Sequence, residues 1–118
     1  YAEAALADRA RAPTTLRSSI EDSVTQLLPH GKASLPNVAR RLALGSRTLA
    51  RRLGEEGLTF TEVLNETRLA LAKRYLAERD LPFGEVAWLL GYRELSAFFH
   101  AFKRWTGVTP RQFRMNLT

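Results

Sequence analysis

Apolar residues recur along this chain at three- and four-residue intervals, and no stretch keeps a two-residue alternation long enough for a strand. The pattern predicts an all-α fold of seven helices. Leu16, Ile20, Val24, Leu27 and Leu28 share one face of a first helix, which Pro29 and Gly31 stop. Ser34 is placed to cap a short second helix reaching about Ala43, with Leu35, Val38, Ala39 and Leu42 turned inward. A third helix is expected from Ser46 to about Glu55, ended by Gly54 and Gly57. Thr59 and Glu62 form a T-x-x-E capping box, stapled by Leu58 and Val63, and open a long fourth helix to about Arg79. A fifth helix runs from near Pro82 to Leu90, and a sixth from about Glu94 to Trp105 with Gly107 as its cap. Thr109, Pro110 and Gln112 make a second capping box for a short seventh helix, stapled by Val108 and Phe113. Ahead of these, residues 1–12 are Ala-rich with mixed charges and Pro13 interrupts them, which reads as the end of a linker helix.

Two stretches of this pattern repeat. In VARRLALGSRTLARRL (38–53) and VAWLLGYRELSAFFHAF (86–102), Val38 answers Val86, Ala39 answers Ala87, Leu42 answers Leu90 and Leu44 answers Tyr92. After one extra residue in the second copy, Leu49 answers Phe98 and Leu53 answers Phe102. Each copy is a short helix, a tight turn and a second helix. Helices that cross steeply need a small residue where their backbones approach, and Ala39 and Ala87 supply it. The turn favours Gly; Gly91 fits, and Ala43 fits less well. This is the layout of a helix-turn-helix, whose second helix projects into the DNA major groove. One such match in a helical protein is weak evidence; two copies, each with a basic second half, are much stronger.

Charge sharpens the picture. The net charge of +6 is unevenly spread. Residues 40–52 carry five arginines and no acid, residues 53–90 are net acidic, and residues 91–118 carry five basic groups against Glu94. Two basic blocks flanking an acidic middle suggest two contact points on one polyanion, although charge alone also fits a solvated basic surface. Fifteen of the 18 basic residues are arginine, whose planar fork suits phosphates and guanine edges.

Other classes of function find little support. A length of 118 residues fits one domain, or two very small ones sharing a helix. There is no cysteine, hence no disulfide, no thiolate nucleophile and no cysteine zinc site. His30 and His100 are the only histidines and sit far apart in the chain without metal-ligand spacing; no metal or cofactor is expected. Glu55 and Glu56 are adjacent and so do not share a helix face, and no nucleophile elbow occurs, so an enzyme is not expected. The longest apolar run, Val86 to Leu90, is too short to span a membrane, and no signal-peptide pattern occurs. The basic residues do not line one amphipathic face, so no membrane partner is expected. A cytoplasmic fragment of a longer protein is the expectation. The alternative function is a helical protein-interaction module, presenting Glu62, Glu66 and Glu78 of the long helix without sequence-specific DNA binding.

The most specific pieces are R-x-x-x-A at Arg68 and Ala72, L-G-Y at 90–92, F-x-x-A-F-K-R-W-T-G at 98–107 and T-P-R-Q-F-R at 109–114. Together they make residues 16–114 resemble the C-terminal DNA-binding domain of AraC/XylS-family transcription regulators. The resemblance implies a linker over 1–13 from a preceding domain and a DNA-binding domain over 14–118. Within it lie a first helix-turn-helix at about 35–56, a linker helix at about 60–78 and a second helix-turn-helix at about 83–106. It further implies recognition helices in successive major grooves of promoter DNA, transcriptional activation rather than repression and an N-terminal effector domain; RNA polymerase is a candidate partner for the acidic surface of the long helix, a role compatible with DNA binding.

Base-reading positions belong on the outward face of each recognition helix near its start. In the first unit these are Ser46, Arg47, Ala50 and Arg51, with Arg47 and Arg51 one turn apart on the same face. In the second unit they are Leu95, Ser96, Phe99 and His100. Where the family often has arginine this chain has His100, so the second unit is expected to read sequence more weakly. Phosphate contacts are expected from Thr48, Arg52, Lys103, Arg104 and Arg111. Phe98, Phe102 and Trp105 are expected in the core, Trp88 partly exposed, and Arg68 and Arg114 in structural hydrogen bonds.

Overall fold

The computed structural model describes residues 15–117, so the linker expected over 1–13 lies outside the described residues. Among them are seven α-helices, one 3-10 turn and no strand. The helices are α1 (Leu16–Leu27), α2 (Leu35–Arg41), α3 (Ser46–Glu55), α4 (Phe60–Leu76), α5 (Phe83–Leu89), α6 (Leu95–Thr106) and α7 (Pro110–Met115). The 3-10 turn, Leu28–His30, follows α1 directly.

The caps legible in the sequence form. Ser34 Oγ accepts the Asn37 amide at 3.3 Å. Thr59 Oγ1 accepts the Glu62 amide at 3.1 Å while the Thr59 amide donates to Glu62 Oε1 at 2.9 Å. Thr109 and Gln112 repeat that box with the same two distances. Each such cap contributes about 1 kcal/mol.

Two helix ends differ from expectation. The second helix stops at Arg41 because Ala43 takes the left-handed conformation, φ 58°, which no α-helix continues through. The long helix stops at Leu76, three residues before Arg79. There Arg114, from α7, donates its Nε to the Leu76 carbonyl at 2.9 Å and its Nη2 to the Leu81 carbonyl at 2.8 Å. Its guanidinium also lies 4.5 Å from the centre of the Phe83 ring. A carbonyl orphaned at the helix end is thus satisfied by a side chain from far along the chain, and Arg114 makes the structural hydrogen bonds expected of it.

Packing follows from the apolar faces. Helix α4 packs on α1 along one part of its length and on α5 and α7 along another. Helix α2 packs on α1 and α3, and α6 on α5 and α7. One continuous cluster runs from Ile20, Val24 and Val38 through Leu53, Val63 and Leu76 to Leu90, Phe98 and Phe102, all fully enclosed. Burying a side chain of this size contributes roughly 2–3 kcal/mol. The amino-terminal helices also meet the carboxy-terminal ones at the 3-10 turn, which touches α5. A Cβ added to Gly91 would lie 2.7 Å from the Leu28 carbonyl oxygen, so this contact requires glycine.

Candidate nucleic-acid interface

The repeated sequence produces a repeated turn. The Leu44 amide donates to the Ala39 carbonyl and the Tyr92 amide to the Ala87 carbonyl, both at 2.9 Å. The next-inner bonds, Ala43 to Arg40 at 3.1 Å and Gly91 to Trp88 at 3.0 Å, also match. Ala43 and Gly91 hold the left-handed position, and Ala39 and Ala87 are buried where each helix pair closes. The extra residue of the second copy falls between the turn and α6, where Arg93 and Glu94 stand against Gly45 alone.

Helix α3 buries Leu49 and Leu53 and thereby turns the opposite face outward. On that face Arg47, Ala50, Arg51 and Arg52 are exposed, and Ser46 and Thr48 are half-buried. Arg51 Nη1 pairs with Glu55 Oε2 at 3.2 Å, both side chains being well exposed. An exposed pair one turn apart holds only about 0.3–0.5 kcal/mol, so a better acceptor displaces it readily. Arg40 is bonded to Asn37 Oδ1 at 3.1 Å, and Arg41 to Gln26 Oε1 on α1.

Helix α6 buries Phe98, Ala101 and Phe102. Leu95, Ser96, His100, Lys103 and Arg104 are exposed. Phe99 is half-buried, edge-on to Phe83 with centroids 5.5 Å apart and to Phe98 at 6.0 Å. These contacts take one part of its ring, and the rest stays open. Arg111, on α7, is exposed, with its guanidinium carbon 5.8 Å from the centre of the Phe83 ring. Trp105 is half-buried against the core, whereas Trp88 is 52% exposed.

Arg68, on α4, lays its guanidinium over the ring of Tyr92, 5.3 Å from the centroid. Burial pushes the Tyr92 hydroxyl above the usual phenol range, and the positive charges of Arg68 and Arg104 pull it partly back. The long helix thus reaches the turn that leads into α6. Sequence reasoning gave no role to Arg93, which stands exposed in that turn. Its signal was the extra residue in the second copy.

Residues 38–116 match the family described as a helix-turn-helix domain. The chain is 42% identical over 100 residues to the HTH-type transcriptional regulator VirS of Mycobacterium tuberculosis. That match takes in 85% of this chain but 29% of VirS, so the chain spans under a third of that relative. Among solved structures, the C-terminal domain of AraT, a response regulator from Geobacillus stearothermophilus, superposes with a TM-score of 0.70 at 27% identity. The superposition covers 86% of this chain and 84% of that one. The fold is also that of a DNA-binding transcriptional dual regulator from Escherichia coli K-12, with a TM-score of 0.77 over 90% of this chain and 94% of that one, at 23% identity. With two matching turns, two exposed second helices and these likenesses together, the chain belongs to the AraC/XylS-type helix-turn-helix transcription regulators and carries their DNA-binding domain.

Proposed function

We propose that this domain reads double-stranded promoter DNA by laying α3 and α6 in two successive major grooves on one face of the duplex, with α4 fixing their separation. The observation that supports this most is the duplicated turn, which leaves the outward faces of both second helices exposed. The molecule is 40 Å in its longest dimension, enough to span one helical turn of DNA, roughly 34 Å. Ser46, Arg47, Ala50 and Arg51 contact bases from α3, and Leu95, Ser96, Phe99 and His100 do so from α6. Thr48, Arg52, Lys103, Arg104 and Arg111 hold phosphates. The two faces are unequal. Helix α3 offers two arginine forks, each able to grip a guanine for about 1–3 kcal/mol of discrimination. Helix α6 offers an imidazole, a hydroxyl and apolar groups suited to thymine methyls, with Phe99 already packed on Phe83. Regulation by activation, contact with RNA polymerase, an effector domain preceding this region and a cytoplasmic location complete the reading.

Random-site selection followed by footprinting tests it. Two protected blocks about one turn apart are expected, the α3 block with the sharper base preference. A single block, or no preference over random duplex, overturns the reading. Lys103→Ala should weaken selected and random duplexes alike and reduce the salt slope by about one.

A further inference from the structure

The junction between the 3-10 turn and the second helix-turn-helix unit is not closed. Between the 3-10 turn and α5 lies an open cleft of about 590 Å³, walled by His30 and Gly31 on one side and by Gly84, Trp88, Arg93 and Leu95 on the other. Three features of it point the same way. First, most of its polar side chains offer donors: the Arg93 guanidinium, the Trp88 indole N–H and the His30 imidazole, whose ring stands edge-on to Trp88 with centroids 6.3 Å apart, while the Tyr92 hydroxyl, also in the wall, donates or accepts. No carboxylate forms part of its wall; Glu85 and Glu94, beside wall residues in the sequence, are not among the lining side chains. Second, its walls carry two glycines, Gly31 and Gly84, at which a Cβ would meet nothing within 4 Å. The left-handed φ of 69° accounts for Gly31, but packing does not account for the glycine at 84, which costs a helix about 1 kcal/mol relative to alanine. Third, its rim includes Leu95, the first residue of α6, while its far wall is the 3-10 turn that leads from α1 towards the first helix-turn-helix unit. A duplex held by both α3 and α6 carries its backbone across the junction between them. An open trough lined by donors suits a passing phosphodiester strand better than an enclosed small molecule, whose sites bury most of the ligand.

We propose that this cleft is a third DNA contact, holding the sugar–phosphate backbone between the two grooves, with Arg93 as its charge and the Trp88 and His30 N–H groups beside it. The inference rests on the two-groove reading above. It assigns the weaker-reading unit a compensating grip and gives the extra residue of the second copy a purpose: it makes room for Arg93 ahead of α6.

The test uses the selected duplex and a random one with the whole chain. Arg93→Gln should weaken both duplexes by the same factor, several-fold at moderate salt, and reduce the salt slope by about one. Gly84→Glu places a carboxylate in the trough without a steric conflict in the free protein. It should weaken binding more than Gly84→Gln, while Gly84→Ala binds as the parent does; thermal melts of all four confirm folding. Phosphate-ethylation interference should mark phosphates between the two protected blocks, and duplex should change the Trp88 emission, a change lost in Trp88→Phe. Unchanged affinity and salt slope in Arg93→Gln, with a two-block footprint intact, overturn this inference and leave the two-groove reading standing. Interference confined to phosphates flanking each groove overturns it as well. So does a Trp88 response to inorganic phosphate with none to duplex. A footprint of one block or none removes the two-groove reading itself.

Discussion

The two helix-turn-helix units share a frame and differ in what they present. Their turns superimpose bond for bond, from the buried alanine to the amide that closes the turn. Yet the first turn is made with Ala43 and the second with Gly91. In the first the left-handed residue is exposed, so a methyl group is tolerated at the cost of some strain. In the second it faces the Leu28 carbonyl, so no methyl group fits. The outward faces diverge in the same sense. Helix α3 carries arginines on an exposed surface, whereas α6 carries Phe99, which is drawn into packing against Phe83. The second unit takes contacts from the 3-10 turn and from α7, whereas α3 keeps its arginine face open. Duplicated backbone geometry thus does not imply duplicated chemistry.

The largest expected effect comes from erasing the difference between the turns. Gly91→Ala should destabilise the fold by about 3 kcal/mol, through the clash with Leu28 and the positive φ together, seen as a lowered urea midpoint. A change below about 0.5 kcal/mol would show that the two turns are equivalent after all. Next comes the asymmetry of reading. Arg47→Ala should cost about 1–3 kcal/mol on the selected duplex and far less on a random one, measured by competitive binding. His100→Ala should cost less than half as much; equal losses would mean that both units read alike. The smallest effect runs the other way. Ala43→Gly should relieve left-handed strain and raise stability by about 0.5–1 kcal/mol, after allowing for the greater freedom of glycine in the unfolded chain. A loss of stability there would locate the strain elsewhere.

What could be read from the sequence was local. Thr59 with Glu62 and Thr109 with Gln112 announce helix starts because a capping box is completed within three residues. Phe98 and Phe102 announce the core because their spacing repeats that of Leu49 and Leu53. What escaped depends on residues distant in the chain. The early end of α4 is set partly by Arg114, 38 residues on. The run Phe98–Phe99–His100 leaves the direction of Phe99 open in the sequence, and Phe83 comes from another helix to cover part of it. Gly91 reads as an ordinary turn glycine, and only the fold brings the Leu28 carbonyl against it. At the site, the exposed faces of α3 and α6 were legible, whereas the junction cleft was not, because its walls come from residues 29–31 and 84–95.

The fork of Arg114 carries one more consequence. It fastens the last turn of α4 to the chain's final helix, although nothing in that helix need touch a base. Trimming the tail from Thr109 onward, or fusing a bulky tag that pries it away, would let that turn fray. The separation between the two readers would then vary from molecule to molecule. If the domain reads two grooves as proposed, such a variant should accept operators with a base pair inserted or deleted between the half-sites that the intact domain rejects.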